Sequence, residues 1–98
     1  MSTSATRALK ILKALKGHTL TGLSNNDLAK ALDDTPSNIT RAIDVLVSEG
    51  LVTKLETGRF SLSIQALQIA VAHAEEVNRA NNRISEINQR IYAGINHD

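Results

Sequence analysis

The sequence contains no cysteine and no tryptophan, and its 98 residues include only one proline, one phenylalanine and one tyrosine. Without cysteine there is neither a disulfide nor a thiolate metal site. A core with so few aromatic side chains is built from Leu, Ile, Val and Ala, which pack well between helices. Length and composition therefore predict a small, mostly α fold.

Long hydrophobic runs and catalytic patterns are also missing. No segment has the length of a transmembrane helix, and the N-terminus lacks the apolar region of a signal peptide, so we expect a soluble, cytoplasmic protein with no membrane partner. His18, His73 and His97 are not spaced as metal ligands, the glycines form no phosphate loop, and no serine or threonine lies in a nucleophile setting. We therefore expect no enzyme, no metal and no cofactor.

The net charge of +1 is weak for a nucleic-acid-binding protein. Its distribution is slightly uneven, because residues 1–63 carry eight Lys/Arg against six Asp/Glu, while residues 64–98 carry three Arg against four acids. The small excess of positive charge therefore lies in residues 1–63.

Two short helices are predicted in the first third of the chain. Leucines recur at helical spacing over residues 5–16, and Gly17 is a good C-terminal stop. The next loop has room for a short β-bridge at residues 19–21. Ser24 then has the character of an N-cap, with Asp27 as its capping-box acid. The second helix is predicted to run to about residue 32 and to bury Leu28, Ala31 and Leu32.

A third helix is predicted over residues 36–49. Asp33 and Asp34 form the turn before it, because Asp tolerates the left-handed conformation better than most residues. Thr35 is the N-cap and Pro36 takes the first helical position. The buried face is predicted to consist of Ile39, Ala42, Ile43, Leu46 and Val47, and the opposite face of Ser37, Asn38, Thr40, Arg41 and Asp44.

A β-hairpin is predicted over residues 51–62, after the stop at Gly50. Residues 51–55 form the first strand, 56–58 the turn and 59–62 the second strand, in which Phe60 and Leu62 alternate with Arg59 and Ser61 as in a half-buried strand. A short helix, a turn, a second amphipathic helix and a hairpin indicate a winged helix-turn-helix, with a three-helix core and a β-hairpin wing, over residues 1–63.

Residues 64–98 are predicted to form a long C-terminal helix, to about residue 93, with Ser63 as its cap. Its apolar positions follow a heptad, with Asn81 and Asn88 at position a. Asparagine at position a fixes register and favours two strands. We interpret the helix as a coiled-coil dimerisation element whose contacts are Val77, Asn81, Ile84, Asn88 and Ile91. The alternative is an independent helix stabilised by the pairs Glu75–Arg79 and Glu86–Arg90.

The segment Ser37-Asn38-Ile39-Thr40-Arg41-Ala42-Ile43, followed by Leu46 and Gly50-Leu51-Val52, resembles the recognition helix of IclR-type transcription regulators. Arg7-Ala8-Leu9-Lys10-Ile11-Leu12 is similar to the first helix of that family, and Gly58-Arg59-Phe60-Ser61-Leu62 to the end of its wing. The resemblance covers roughly residues 5–68. Pro36 stands one position later than is usual in the family. The family's large effector-binding domain is missing after the long helix, so we expect no small-molecule sensor in this chain.

The resemblance implies that Ser37, Asn38 and Arg41 lie at DNA-contacting positions. The residues themselves suggest the same, since Asn binds adenine and Arg binds guanine bidentately in the major groove. Thr40 lies on the same side of the helix, and the helix N-terminus can hold a phosphate. Lys54 and Arg59 of the wing would meet the backbone or the minor groove. Alternatively, Ser37 reflects only a helix-start preference, and Arg41 forms a surface salt bridge with Asp44 or Asp34.

Together these patterns predict a sequence-specific transcription regulator that binds double-stranded DNA as a homodimer at the nucleoid. Helix 36–49 would enter the major groove at each half of a near-palindromic operator. The competing hypothesis is a winged-helix module for protein interaction or assembly, without DNA binding. The low net charge and the acid Asp44 favour this alternative, while Ser37, Asn38 and Arg41 favour DNA.

Overall fold

The computed structural model of the protein describes residues 3–96. Three helices are followed by a two-stranded antiparallel hairpin and a fourth helix: α1 (Ser4–Ala14), α2 (Asn25–Leu32), α3 (Pro36–Ser48), β1 (Val52–Lys54), β2 (Phe60–Leu62) and α4 (Ile64–Asn96). This order of elements confirms the expected mostly α, winged helix-turn-helix fold with a long C-terminal helix.

The core lies among α1, α2, α3 and the start of β1. It is aliphatic, as the composition predicts, and its buried side chains are Ile11, Leu15, Leu28, Ala29, Ile39, Ala42, Ile43, Leu46 and Val52. Phe60 packs against its edge. One compact unit ends at Leu67, inside the first turns of α4, and a second begins at Gln68. The division at residues 63 and 64 stays a prediction.

The N-caps of α2 and α3 are the predicted ones. The hydroxyl of Ser24 accepts from the backbone of Asp27 at 3.0 Å while the Asp27 carboxylate accepts from the backbone of Ser24 at 3.0 Å, which completes the capping box. Thr35 accepts from the backbone of Asn38 at 3.2 Å, with Pro36 in the first helical position. Short-range rules therefore fix the start of both helices.

Asp33 ends α2 in the left-handed region, with φ 52° and ψ 54°. Within residues 3–96 it is the one non-glycine residue with positive φ. The prediction that an aspartate takes this turn position is confirmed, and it sets the sharp change of direction between α2 and α3.

Two burial predictions for the helices and the expected place of the β-bridge are wrong. Ala31 is exposed and Ala29 is buried in its place, because α2 is short and presents the 28–29 side to the core. Val47 is 42% exposed, since the inner stripe of α3 follows residues 39, 42, 43 and 46. The isolated β-bridge joins Leu23 to Phe60 instead of involving residues 19–21.

The close approach of this bridge explains Gly22. Its φ is +69°, and a Cβ at this position would lie 2.5 Å from the backbone oxygen of Phe60. Any side chain would therefore push the loop away from β2.

The hairpin pairs Val52 with Leu62, Thr53 with Ser61 and Lys54 with Phe60. The expected alternation in β2 is reversed, because Ser61 is only 2% exposed whereas its two neighbours are half-buried. β2 is bonded to β1 on one edge and to Leu23 on the other, and the face of β2 that carries Ser61 is the covered one. A small side chain fits this covered position.

Ser63 caps the start of α4, because its hydroxyl accepts from the backbone of Ala66 at 3.1 Å and donates to the carbonyl of Gly50. The helix contains 33 residues and is about 50 Å long at 1.5 Å per residue. Its described part extends three residues beyond the predicted end at residue 93. No helix in the described part of the chain is long and apolar enough to cross a membrane.

Candidate nucleic-acid interface

The first turn of α3 is anchored to α1 by a partly buried ion pair. Nε of Arg7 lies 2.5 Å from Oδ2 of Asp34, and both side chains are largely buried, at 16% and 14% exposed. Oδ1 of Asp34 accepts from Nδ2 of Asn38 at 2.9 Å and from the backbone of Thr35 at 2.7 Å. Asp34 therefore joins α1, the turn and the first residues of α3.

The same contacts stabilise the charged form of Asp34. The guanidinium of Arg7, followed by the Asn38 amide and the Thr35 backbone N–H, lowers the pKa of Asp34 from 3.8 to about 2. The carboxylate thus stays ionised throughout the physiological range.

The outer face of α3 carries the predicted contact residues, which the structure separates into two groups. Ser37, Thr40 and Arg41 are exposed, while Asn38 is half-buried and donates its amide to Asp34. Within residues 3–96, Arg41 has no hydrogen bond or ion pair. Asp34 is occupied by Arg7, and Asp44 is not within ion-pair distance, so the alternative of a salt bridge for Arg41 is wrong.

Arg41 lies at a cleft of about 240 Å³ between α1 and α3. The lining is largely apolar and includes Ala5, Ala8, Ala42 and Val45. A guanidinium beside such a surface is less screened than one that is fully surrounded by water. This cation therefore remains available to an external anion or base edge.

The wing contains the other two predicted contact residues in different situations. Lys54 is exposed at the end of β1. Arg59 donates to the carbonyls of Thr21 and Gly22 at 3.0 Å each and lies 3.3 Å from the carboxylate of Asp27. Arg59 therefore holds the wing against the loop before α2, and DNA contact by either residue stays a prediction.

The Asp27 carboxylate that approaches Arg59 is stabilised in its charged form. The backbone N–H of Ser24, then its hydroxyl, and more weakly Arg59 lower the pKa of the Asp27 carboxyl. The capping box of α2 and the position of the wing are thereby connected.

The sequence patterns did not predict the roles of two residues in this region. Arg7 is separated from Asp34 by 27 positions, and no local rule pairs them. Asn25 donates its amide to the hydroxyl of Thr40 at 2.8 Å, which links α2 to the outer face of α3. Polar residues at the starts of α1 and α2 were the available signal, but their partners depend on how the helices pack.

No group of three or more His, Asp or Glu side chains within residues 3–96 is arranged to hold a metal ion. His97 lies outside the described residues. The outer face of α3 instead presents the hydroxyls of Ser37 and Thr40 and the guanidinium of Arg41, which is unpaired within residues 3–96. The turn before α3 is held by the ion pair between Arg7 and Asp34. DNA-reading helices present polar groups in the same way.

The fold and this surface define a winged helix-turn-helix domain. The family model of the IclR helix-turn-helix domain matches residues 4–56, which is more than half of the chain, and the chain belongs to this family. This family is a DNA-binding regulator domain and not an enzyme. A comparison with curated proteins gives no match. The match ends within the hairpin turn, so β2 is placed by the structure alone.

Acid should release the Asp34 anchor. Because the folded-state pKa is below the ordinary value, the stabilisation is complete above pH 3.8 and is lost as the pH falls through about 2. Urea unfolding should show that the free energy of unfolding of the wild-type protein falls as the pH is lowered from 3.8 to about 2. The fall should be smaller in Asp34→Asn. Asp44→Asn, at an exposed carboxylate, is the matched control and should keep the wild-type slope. Equal slopes in all three proteins would refute the anchor.

Proposed function

We propose that the chain is a homodimeric, sequence-specific DNA-binding transcription regulator. Residues 1–63 bind duplex DNA, with the recognition helix, residues 36–49, in the major groove and the wing, residues 51–62, at the backbone or minor groove. The observation that carries this proposal is the unpaired, exposed Arg41 on the outer face of α3, in a domain of a DNA-binding family.

The contact residues have distinct roles in this proposal. Arg41 reads a base edge, and guanine is its usual bidentate partner. Ser37, in the exposed first turn, binds a phosphate together with the N-terminal amides of α3. Lys54 neutralises a backbone phosphate beside the wing. Asn38 orients the first turn through Asp34, and its Oδ1, which has no hydrogen bond within residues 3–96, is left to accept from a base.

The second part of the proposal concerns α4, which pairs with α4 of a second copy. Val77, Ile84 and Ile91 recur at position d and are 44%, 57% and 53% exposed in the single chain. All charged residues of α4 occupy positions b, c and f, so the seam and its flanks are uncharged. The predicted pairs Glu75–Arg79 and Glu86–Arg90 are absent from the described residues, where Arg83–Glu86 at 3.8 Å is the ion pair of α4.

A parallel, in-register arrangement suits the two asparagines best. Asn81 and Asn88 at position a would each face the same residue of the partner helix, so both amides could bond across the seam. In an antiparallel pair, each would face an apolar d position. A parallel pair also carries both α3 helices at one end of the dimer, as a near-palindromic site requires.

The competing proposal, a protein-interaction module without DNA binding, rests on Asp44. This carboxylate is exposed on the outer face of α3 and has no ion-pair partner within residues 3–96. It would repel phosphates that approach the C-terminal half of α3. Arg41 lies one turn closer to the start of α3, and the net charge of residues 1–63 is positive, so DNA binding is the better supported proposal.

Binding to random duplex DNA should weaken steeply as salt rises, because counterions are released from the phosphates that the protein covers. Arg41→Ala should weaken binding to a selected operator by about 5- to 150-fold, the effect of about 1–3 kcal/mol of base discrimination. Fluorescence anisotropy measures both. Arg79→Ala removes the same charge from α4 and should leave operator affinity unchanged. No binding at low salt, or binding insensitive to salt, would favour the protein-interaction module.

Sedimentation should show a dimer of the unmodified protein. Replacing both Asn81 and Asn88 with Ile should keep or strengthen association but produce mixed order or register, because the polar seam positions no longer select one alignment. Asn82→Ile, at position b, is the matched control and should leave a uniform dimer. A monomeric unmodified protein at micromolar concentration would refute pairing through α4.

A further inference from the structure

The hydroxyl hydrogen of Thr40 is engaged within the protein. The hydroxyl donates to the carbonyl of Pro36 at 2.9 Å and accepts from Nδ2 of Asn25 at 2.8 Å. A threonine hydroxyl has one hydrogen, so none is left for an external acceptor. Thr40 is nevertheless exposed on the outer face of α3. Thr40 therefore offers an external partner its methyl group or the remaining lone pair of its oxygen, and no donor.

The carbonyl of Pro36, which can accept a hydrogen bond but cannot donate one, sets the orientation of the Asn25 amide. Nδ2 lies 3.4 Å from the carbonyl oxygen of Pro36 as well as 2.8 Å from Thr40. A flipped amide would place two acceptor oxygens against each other at Pro36. The observed orientation leaves Oδ1 of Asn25 buried without a partner among the described residues, a cost that flipping would not remove.

The surroundings of Thr40 on this side of α3 are largely apolar. A groove of about 450 Å³ between α3 and the wing is lined by Ile43, Val47 and Phe60 together with Asn25 and Thr40, and Lys54 and Asp44 also border it. Val47, on the same stripe of α3 as Thr40, is partly exposed there. The methyl group of Thr40 adds to this apolar lining on the outer side of α3.

We infer that Thr40 is a specificity-determining residue whose methyl group contacts the 5-methyl group of a thymine in the major groove, with Asn25 as the positioning residue. The inference rests on the proposed DNA-binding function. Thymine is the one DNA base that presents an apolar group in that groove, so a threonine with a committed hydroxyl selects it by apolar contact.

The test removes only the methyl group from the DNA. Duplexes that bind the full-length protein are selected from a random pool, and each thymine of the selected site is replaced in turn by deoxyuridine. At one position in each half-site, we expect the substitution to weaken binding roughly fourfold, the effect of one lost buried methyl group. In Thr40→Ser, which keeps the hydroxyl, thymine and uracil duplexes should bind equally. In Thr40→Val, which keeps a methyl group, the preference should persist.

The role of Asn25 is tested by the ratio of the affinities for the thymine and uracil duplexes, and not by affinity alone. Asn25→Ala removes a donor that fixes the Thr40 side chain, while the Thr40 hydroxyl keeps its bond to the carbonyl of Pro36. The methyl group is then less firmly positioned, so the preference for thymine over uracil should fall, whereas Asn26→Ala, at the exposed neighbouring position, should leave it unchanged. A selected site with no methyl-dependent position, or a wild-type ratio in Thr40→Ser, would overturn this inference and leave the proposed function standing. Failure to select any duplex would overturn both.

Discussion

The ion pair between Arg7 and Asp34 is the contact on which the proposed interface depends. It joins α1 to the turn that precedes α3, and the same carboxylate holds Asn38 and the backbone of Thr35. A helix that reads DNA must present its first turns at a fixed angle, because base contacts require an accuracy well below the width of a side chain. The buried core side chains are all aliphatic, and their packing has little directional preference. The ion pair between Arg7 and Asp34 adds the directional restraint that this packing lacks.

A second polar network performs the corresponding task for the wing. Arg59 bonds to the carbonyls of Thr21 and Gly22 and approaches the capping-box acid Asp27. The hairpin is short, with three residues in each strand, and its second strand is bonded to Leu23 on the outer edge. The wing is therefore held from two sides by polar contacts, and its position is coupled to the start of α2.

Local rules predicted most of the fold. Ser24, Asp27, Asp33, Thr35 and Pro36 act through neighbours a few residues away, so their roles could be identified in the sequence and are confirmed. The misplaced burial of Ala31, Val47 and Ser61 arises from contacts between elements, which short periodic patterns do not determine. The site divides in the same way. The outward position of Ser37, Thr40 and Arg41 followed from helical spacing, whereas the bonds of Arg7 to Asp34, of Arg59 to Gly22 and of Thr40 to Asn25 join residues that are distant in sequence.

The central claim is that the outer face of α3 lies against duplex DNA, and mapping the contact by NMR tests it most directly. Backbone amide shifts of the labelled full-length chain are followed while a selected duplex is added. If α3 and the wing bind the duplex, the largest changes fall on residues 35–44 and on the wing, with smaller changes along α4. Largest changes on α4, with the amides of α3 unmoved at saturation, would contradict it.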